Sequence, residues 1–146
     1  MRNRLLETSS DGQKTYALVL EPGEEAMATI TAFADAERLG PSRFTAIGAF
    51  ARCELGYFNP ETKEFVKNVI EEQVEVLSFL GNIAEDDEGR HEAHIHVVLG
   101  CRNAMARGGH LIAGLVRPTL EVMLVQLPGH LHRRRDPVSG LILLQP

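Results

Sequence analysis

Residues 24–40 read EEAMATITAFADAERLG, and this stretch decides the fold class. Met27, Ile30, Phe33 and Ala34 recur at the helical period and form one apolar stripe. Glu24 and Glu25 fall in the first turn, where the helix dipole favours anions. Gly40 follows the last periodic residue and Pro41 comes next, the order expected past a helix C-terminus. The pattern predicts a helix over residues 24–39. On both sides of it the period changes from 3.6 to 2, so the helix stands alone among strands.

Upstream, KTYALVL sets Tyr16, Leu18 and Leu20 against Ala17 and Val19, which predicts a strand ended by Pro22-Gly23. Downstream, RFTAIGAFARCELGYFN (43–59) reads as one long or broken strand, with Gly48 and Gly56 marking a bulge or a close backbone approach. EFVKNVI and QVEVLSFLGNIA follow, the second with Val74, Val76, Ser78 and Leu80 expected on one face. HEAHIHVVLG, HLIAGLVR, TLEVMLVQL and LILLQ complete seven or eight strands, joined by the polar segments NPETK, EDDEGR, RNAMARGG and HLHRRRDPVSG. One helix and a series of strands predict an α+β domain with a mainly antiparallel sheet.

The length of 146 residues suits a single domain, expected over residues 14–146 behind an N-terminal tail at 1–13. In that tail the apolar run is only Leu5-Leu6, too short for the apolar stretch of a signal peptide, and no window is long enough for a membrane span. Cys53 and Cys101 form no CxxC pair and do not suggest a cysteine-built metal knuckle; two lone thiols agree with a reduced, cytoplasmic setting and read as small buried or half-buried residues. The net charge of −5 works against binding nucleic acid by its phosphates. The one dense basic run, Arg133-Arg134-Arg135, lies beside His130 and His132, is followed by Asp136, and reads as a solvated loop. No Ser-His-Asp arrangement, phosphate-cradling glycine loop or dinucleotide fingerprint occurs, and GNIAEDDEG lacks the spacing of a calcium loop.

An ordered set of segments carries a family resemblance: LEPGEE before the helix, FTAIGAF after it, then VEVLSFLGNIA, HIHVVLG, GGHLIAGLV and TLEVML. Together they resemble the plants-and-prokaryotes-conserved (PPC) domain in its stand-alone prokaryotic form, over roughly residues 14–144. The resemblance implies a curved antiparallel sheet with a packed helix, assembled as a homotrimer. Plant members join this domain to AT-hooks, and stand-alone members often carry a DNA-binding label for that reason. This chain has no AT-hook. The plant partner-binding run would fall on Glu72–Leu77, where its Gly and Arg are missing. A trimer would also multiply the negative charge by three, so DNA is not the favoured partner.

The histidines carry the chemistry. A strand sends alternate side chains to one face, so His94 and His96 project together and His91 projects oppositely, as a solvent residue. His110 begins a later strand behind Gly108 and Gly109, which allow close backbone approach. Three neutral imidazoles with no cysteine form the ligand set of a zinc site that leaves one position open, although other divalent metals accept imidazoles too. On its own, an HxH pair also fits the polar face of an amphipathic strand. The resemblance tips the balance, because the prokaryotic pattern has histidine at these three places. The reading is therefore a divalent metal, zinc first, at His94, His96 and His110, on a module that binds a small-molecule ligand or regulates. Arg90, Glu75 and Glu54 are candidates to support the metal or contact its ligand, each also readable as an ordinary exposed charge. A DNA-associated regulator and a metal-dependent hydrolase or lyase are the rival readings, and the residues alone do not decide whether the chain is an enzyme. Ser78 and Gly81 are expected to serve packing, and His130 and His132 to lie on the surface.

Overall fold

The computed structural model describes residues 1–145, and among them nine strands and one helix follow in series. The alternation in residues 14–20 becomes a core face: β2 (Lys14–Leu20) buries Tyr16, Leu18 and Leu20. The expected N-terminal tail is instead the edge strand β1 (Arg2–Thr8), antiparallel to β2. Its side chains are all exposed, so backbone pairing and an Arg2–Glu21 ion pair hold it, and no apolar pattern announced it.

Helix α1 (Ala26–Glu37) buries Ala26, Ile30, Phe33 and Ala34 along the expected stripe. It is shorter than 24–39 at both ends. Glu25 is the N-cap: one carboxylate oxygen accepts from the Ala28 amide at 2.7 Å, the other from the Gly114 amide at 2.9 Å. Glu24 takes the N-terminal ammonium at 2.7 Å. Both acids thus precede the first turn and do not sit within it. At the other end Arg38, not Gly40, adopts the left-handed conformation (φ 51°), and its amide donates to the Ala34 and Asp35 carbonyls. A left-handed non-glycine residue costs about 1–2 kcal/mol. Turning there buries Leu39, and a buried leucine contributes about 1.5–3 kcal/mol, so the early turn is offset.

Strand β3 (Ser42–Asn59) is one strand of 18 residues. Along one edge it pairs with β7 (Ala106–Gln126); along the other it pairs first with β5 (Val74–Glu85) and then with β4 (Glu64–Ile70). β5 also pairs with β6 (His91–Gly100), and β6 with the start of β7. β3, β5, β6 and β7 therefore form a closed circuit, and α1 packs against β6 and β7. Gly48 sits at a register shift in β3 with φ 151°, where a Cβ would collide with the Thr119 carbonyl. The bulge expected at this glycine is present.

Two expected strands, 110–117 and 119–127, are the single 21-residue β7. Pro118 does not divide it, because the ladder to β3 skips from Val116 to Leu120 and no hydrogen bond is lost there. In β5 the expected face does not hold. A bulge at Leu77 reverses the alternation, so Phe79 enters the core while Leu80 is 57% exposed and Ser78 is half-buried on the outer side. Gly81 lies against the Phe44 ring, where a side chain would not fit, as a packing role requires.

The basic segment expected as a loop is half of a hairpin, β8 (His132–Arg135) paired with β9 (Ile142–Gln145). Cys53 and Cys101 are buried and free; burial pushes the Cys53 thiol up to about 11, which leaves it protonated and unreactive.

Candidate metal centre

The alternation along β6 sends Ile95, Val97 and Leu99 into the core and His94 and His96 to the outer side. Antiparallel pairing then sets His110 of β7 directly opposite His96. Gly108 permits this approach, since a Cβ there would lie 2.6 Å from the Val97 carbonyl oxygen. The structure thus brings together the three histidines singled out in the sequence. One ring nitrogen from each lies within 4.8 Å of the others. His94 Nε2 and His96 Nε2 are 3.1 Å apart, close to the roughly 3.3 Å edge of a tetrahedron with Zn–N bonds of 2.0–2.1 Å.

The electrostatics suit a cation-binding set. Burial, then the charge of Arg133 and the neighbouring imidazoles, pushes His94 down to about 4. Burial and His96 lower His110 as well. At neutral pH both rings carry lone pairs and no charge, the form a metal requires. The His94 and His96 nitrogens face each other, and neither ring has a carboxylate or carbonyl partner among the described hydrogen bonds. The donor set therefore fits a divalent ion of the zinc type.

The other candidates are elsewhere. Arg90 is bound to Asp86 at 2.7 Å and to Glu88 at 2.9 Å in the β5–β6 turn. Glu75 pairs with Gly100, at the far end of the β5–β6 ladder from the Asn82–His94 pair. Glu54 is bound by Lys67 at 2.8 Å across the β3–β4 pair. None of the three lines the recess beside the histidines. His91 is also not a solvent residue. It faces away from the cluster as expected, but it docks on α1, with Nδ1 2.5 Å from Asp35 Oδ1 and Nε2 2.7 Å from the Leu39 carbonyl oxygen. His130 and His132 are exposed, as expected.

Beside the cluster lies a recess of about 670 Å³, roofed by the β8–β9 hairpin. Tyr57, Phe58, Phe65, Ile142 and Leu143 make its walls apolar, and the Phe65 ring lies over His110 with centroids 5.2 Å apart. Glu92 and Arg133 supply charge. In the sequence Glu92 carried no signal, and Arg133 read as part of a solvated loop. Arg133 is 3% exposed, and its guanidinium donates to the Asn82 side chain, the cross-strand neighbour of His94. Arg133 is buried between the exposed His132 and Arg134, an alternation that a run of basic residues hides in the sequence.

Residues 7–128 match the Plants and Prokaryotes Conserved (PCC) domain. Among solved structures, a plant- and prokaryote-conserved (PPC) protein from Pyrococcus horikoshii is 31% identical, with a TM-score of 0.85 over 90% of this chain and 91% of that one. A protein from Archaeoglobus fulgidus described as metal-containing is 33% identical, with a TM-score of 0.84 over 91% of this chain and 94% of that one. A Bacteroides thetaiotaomicron protein, described provisionally as DNA-binding, is 24% identical with a TM-score of 0.85 over 90% and 91%, a likeness of fold alone. No curated protein matches the chain.

Proposed function

The chain belongs to the Plants and Prokaryotes Conserved (PCC) domain family, and from that premise we propose that it is a metal-loaded module that binds a small ligand. The observation that carries the reading is the convergence of the His94, His96 and His110 nitrogens beside an apolar recess. These three residues would hold a divalent ion, zinc by preference, and leave one position toward the recess. Such an ion would polarise an oxygen of the ligand. The protein's own part is to keep the imidazoles neutral, to exclude water with the β8–β9 hairpin, and to orient the ligand against the aromatic wall. The metal-containing description of the Archaeoglobus relative supports the reading.

The proposed assembly is a homotrimer. Leu80 of β5 and Met123 of β7 both flank Thr45 in register, Ile47 lies two residues on, and all three apolar side chains are exposed. A contiguous apolar face of this kind suits a second copy of the chain, and His96 borders it, opposite Leu80. No described helix is long and apolar enough to cross a membrane, and the two free thiols fit the cytoplasm as the proposed location.

DNA-associated regulation gains less support. Arg133, the middle of the basic run, is turned inward, and Arg134 is paired with Asp87 at 2.9 Å. A hydrolase or lyase would need a base in the recess, and Glu92 is the acid placed there.

Titration of the metal-free, untagged chain with zinc tests the proposal. We expect one site in the wild type and its loss in His110→Ala, with the apolar core intact. Equal zinc binding by the two proteins would contradict a centre built across β6 and β7.

A further inference from the structure

The recess beside the histidines contains a cation that the chain does not neutralise. Arg133 is 3% exposed, although its neighbours Arg134 and His132 lie on the surface. Its Nη2 donates to the Asn82 side chain, and its Nε is buried with no acceptor. Among the described residues no carboxylate is within ion-pair distance of it. Glu92, on the same recess, supports its charge only through space, while burial works against that charge. A buried charge is retained at a cost unless something pairs with it.

The placement supplies that partner. Asn82 is the cross-strand neighbour of His94, so the guanidinium is fixed beside the histidine cluster and on the same recess. A guanidinium presents its N–H groups in a planar fork that matches a carboxylate. Apart from Glu92, the remaining wall, with Tyr57, Phe65, Ile142 and Leu143, is largely apolar, and the volume is that of a small-molecule site.

We propose that the recess binds a small monocarboxylic acid with an apolar body, its carboxylate shared between the open metal position and the Arg133 guanidinium. The inference deepens the metal reading and rests on it. The unpartnered arginine selects the acid group, and the aromatic and aliphatic wall selects the body.

The test uses the untagged chain loaded with cobalt(II), whose visible absorption reports changes at the ion. Phenylacetate, benzoate and isovalerate are titrated against their own amides and against inorganic phosphate. We expect at least one acid to change the spectrum saturably, to bind about tenfold or more tightly than its amide, and to bind more tightly than phosphate. Arg133→Gln, with cobalt still at one per chain, should lose that preference. Amides that bind as well as their acids, or phosphate binding more tightly than any of the acids, would overturn the proposal. The acid–amide comparison needs only the wild-type chain, so it stands even if Arg133→Gln does not fold. A chain that takes up no cobalt defeats the metal reading and this proposal together; cobalt uptake without acid preference defeats this proposal alone.

Discussion

His91 and His94 lie three residues apart on β6 and meet opposite surroundings. His91 points to α1, where Asp35 and the Leu39 carbonyl take its two ring nitrogens. His94 points outward, where its neighbours are His96, His110 and Arg133. One ring is satisfied by the fold; the other is left with its lone pair toward other lone pairs. The same residue type thus ties a strand to a helix on one face and offers a ligand atom on the other. What separates the two roles is strand alternation and the acceptors that each face supplies.

Substitutions on the two faces should separate stability from metal binding. Ile95→Ala, on the core face between the two outer histidines, should cost about 2–5 kcal/mol of stability in a denaturant titration, while the folded fraction still binds metal. His96→Ala should do the reverse: metal affinity falls by at least about 100-fold, more than loss of a supporting partner causes, with the metal-free melting temperature little changed. If both variants lost stability equally and neither lost metal, the two faces would not be distinct. His91→Ala should cost about 1–3 kcal/mol, because the Leu39 carbonyl loses its donor, and should leave zinc affinity at the wild-type value. Loss of zinc in that variant would place His91 in the site and break the comparison.

Acid should act on the outer face with the smallest effect. The ordinary value for histidine is 6.5, and His94 is held down to about 4 in the folded chain. Between these values the unfolded chain binds a proton there that the folded chain does not. Stability from this group is therefore full above pH 6.5 and declines as the pH falls toward 4. His110 is shifted in the same direction. The melting temperature of the metal-free protein should drop across this window, and His94→Ala should flatten the drop. An unchanged slope in that variant would mean that His94 is already protonated in the folded state.

The same contrast explains what was legible in the sequence. The apolar stripe of α1, the alternation of β2 and the HxH spacing are local patterns, and each became the element or face it predicted. The order of segments added His110, which no local pattern ties to β6; antiparallel register does. Most of the differences share a cause, a partner outside the stretch being read; Arg90, held within its own turn, is the exception. β1 is held by backbone pairing to β2. The bulge at Leu77 that exchanges Phe79 for Leu80 is a mismatch between β5 and β6. Pro118 sits where β3 leaves the ladder open, so two strands became one. Arg133 turned inward because Asn82, 51 residues away, accepts from it. Arg90, Glu75 and Glu54 were drawn to local acids, to the far end of a ladder and to Lys67, respectively.

The role of the outer face depends on the three histidines holding an ion. Elemental analysis of the untagged chain, purified without chelator and then titrated with zinc, tests this most directly. About one divalent ion per chain is expected, as isolated or after titration. A chain isolated without metal that takes up none at micromolar zinc would contradict it.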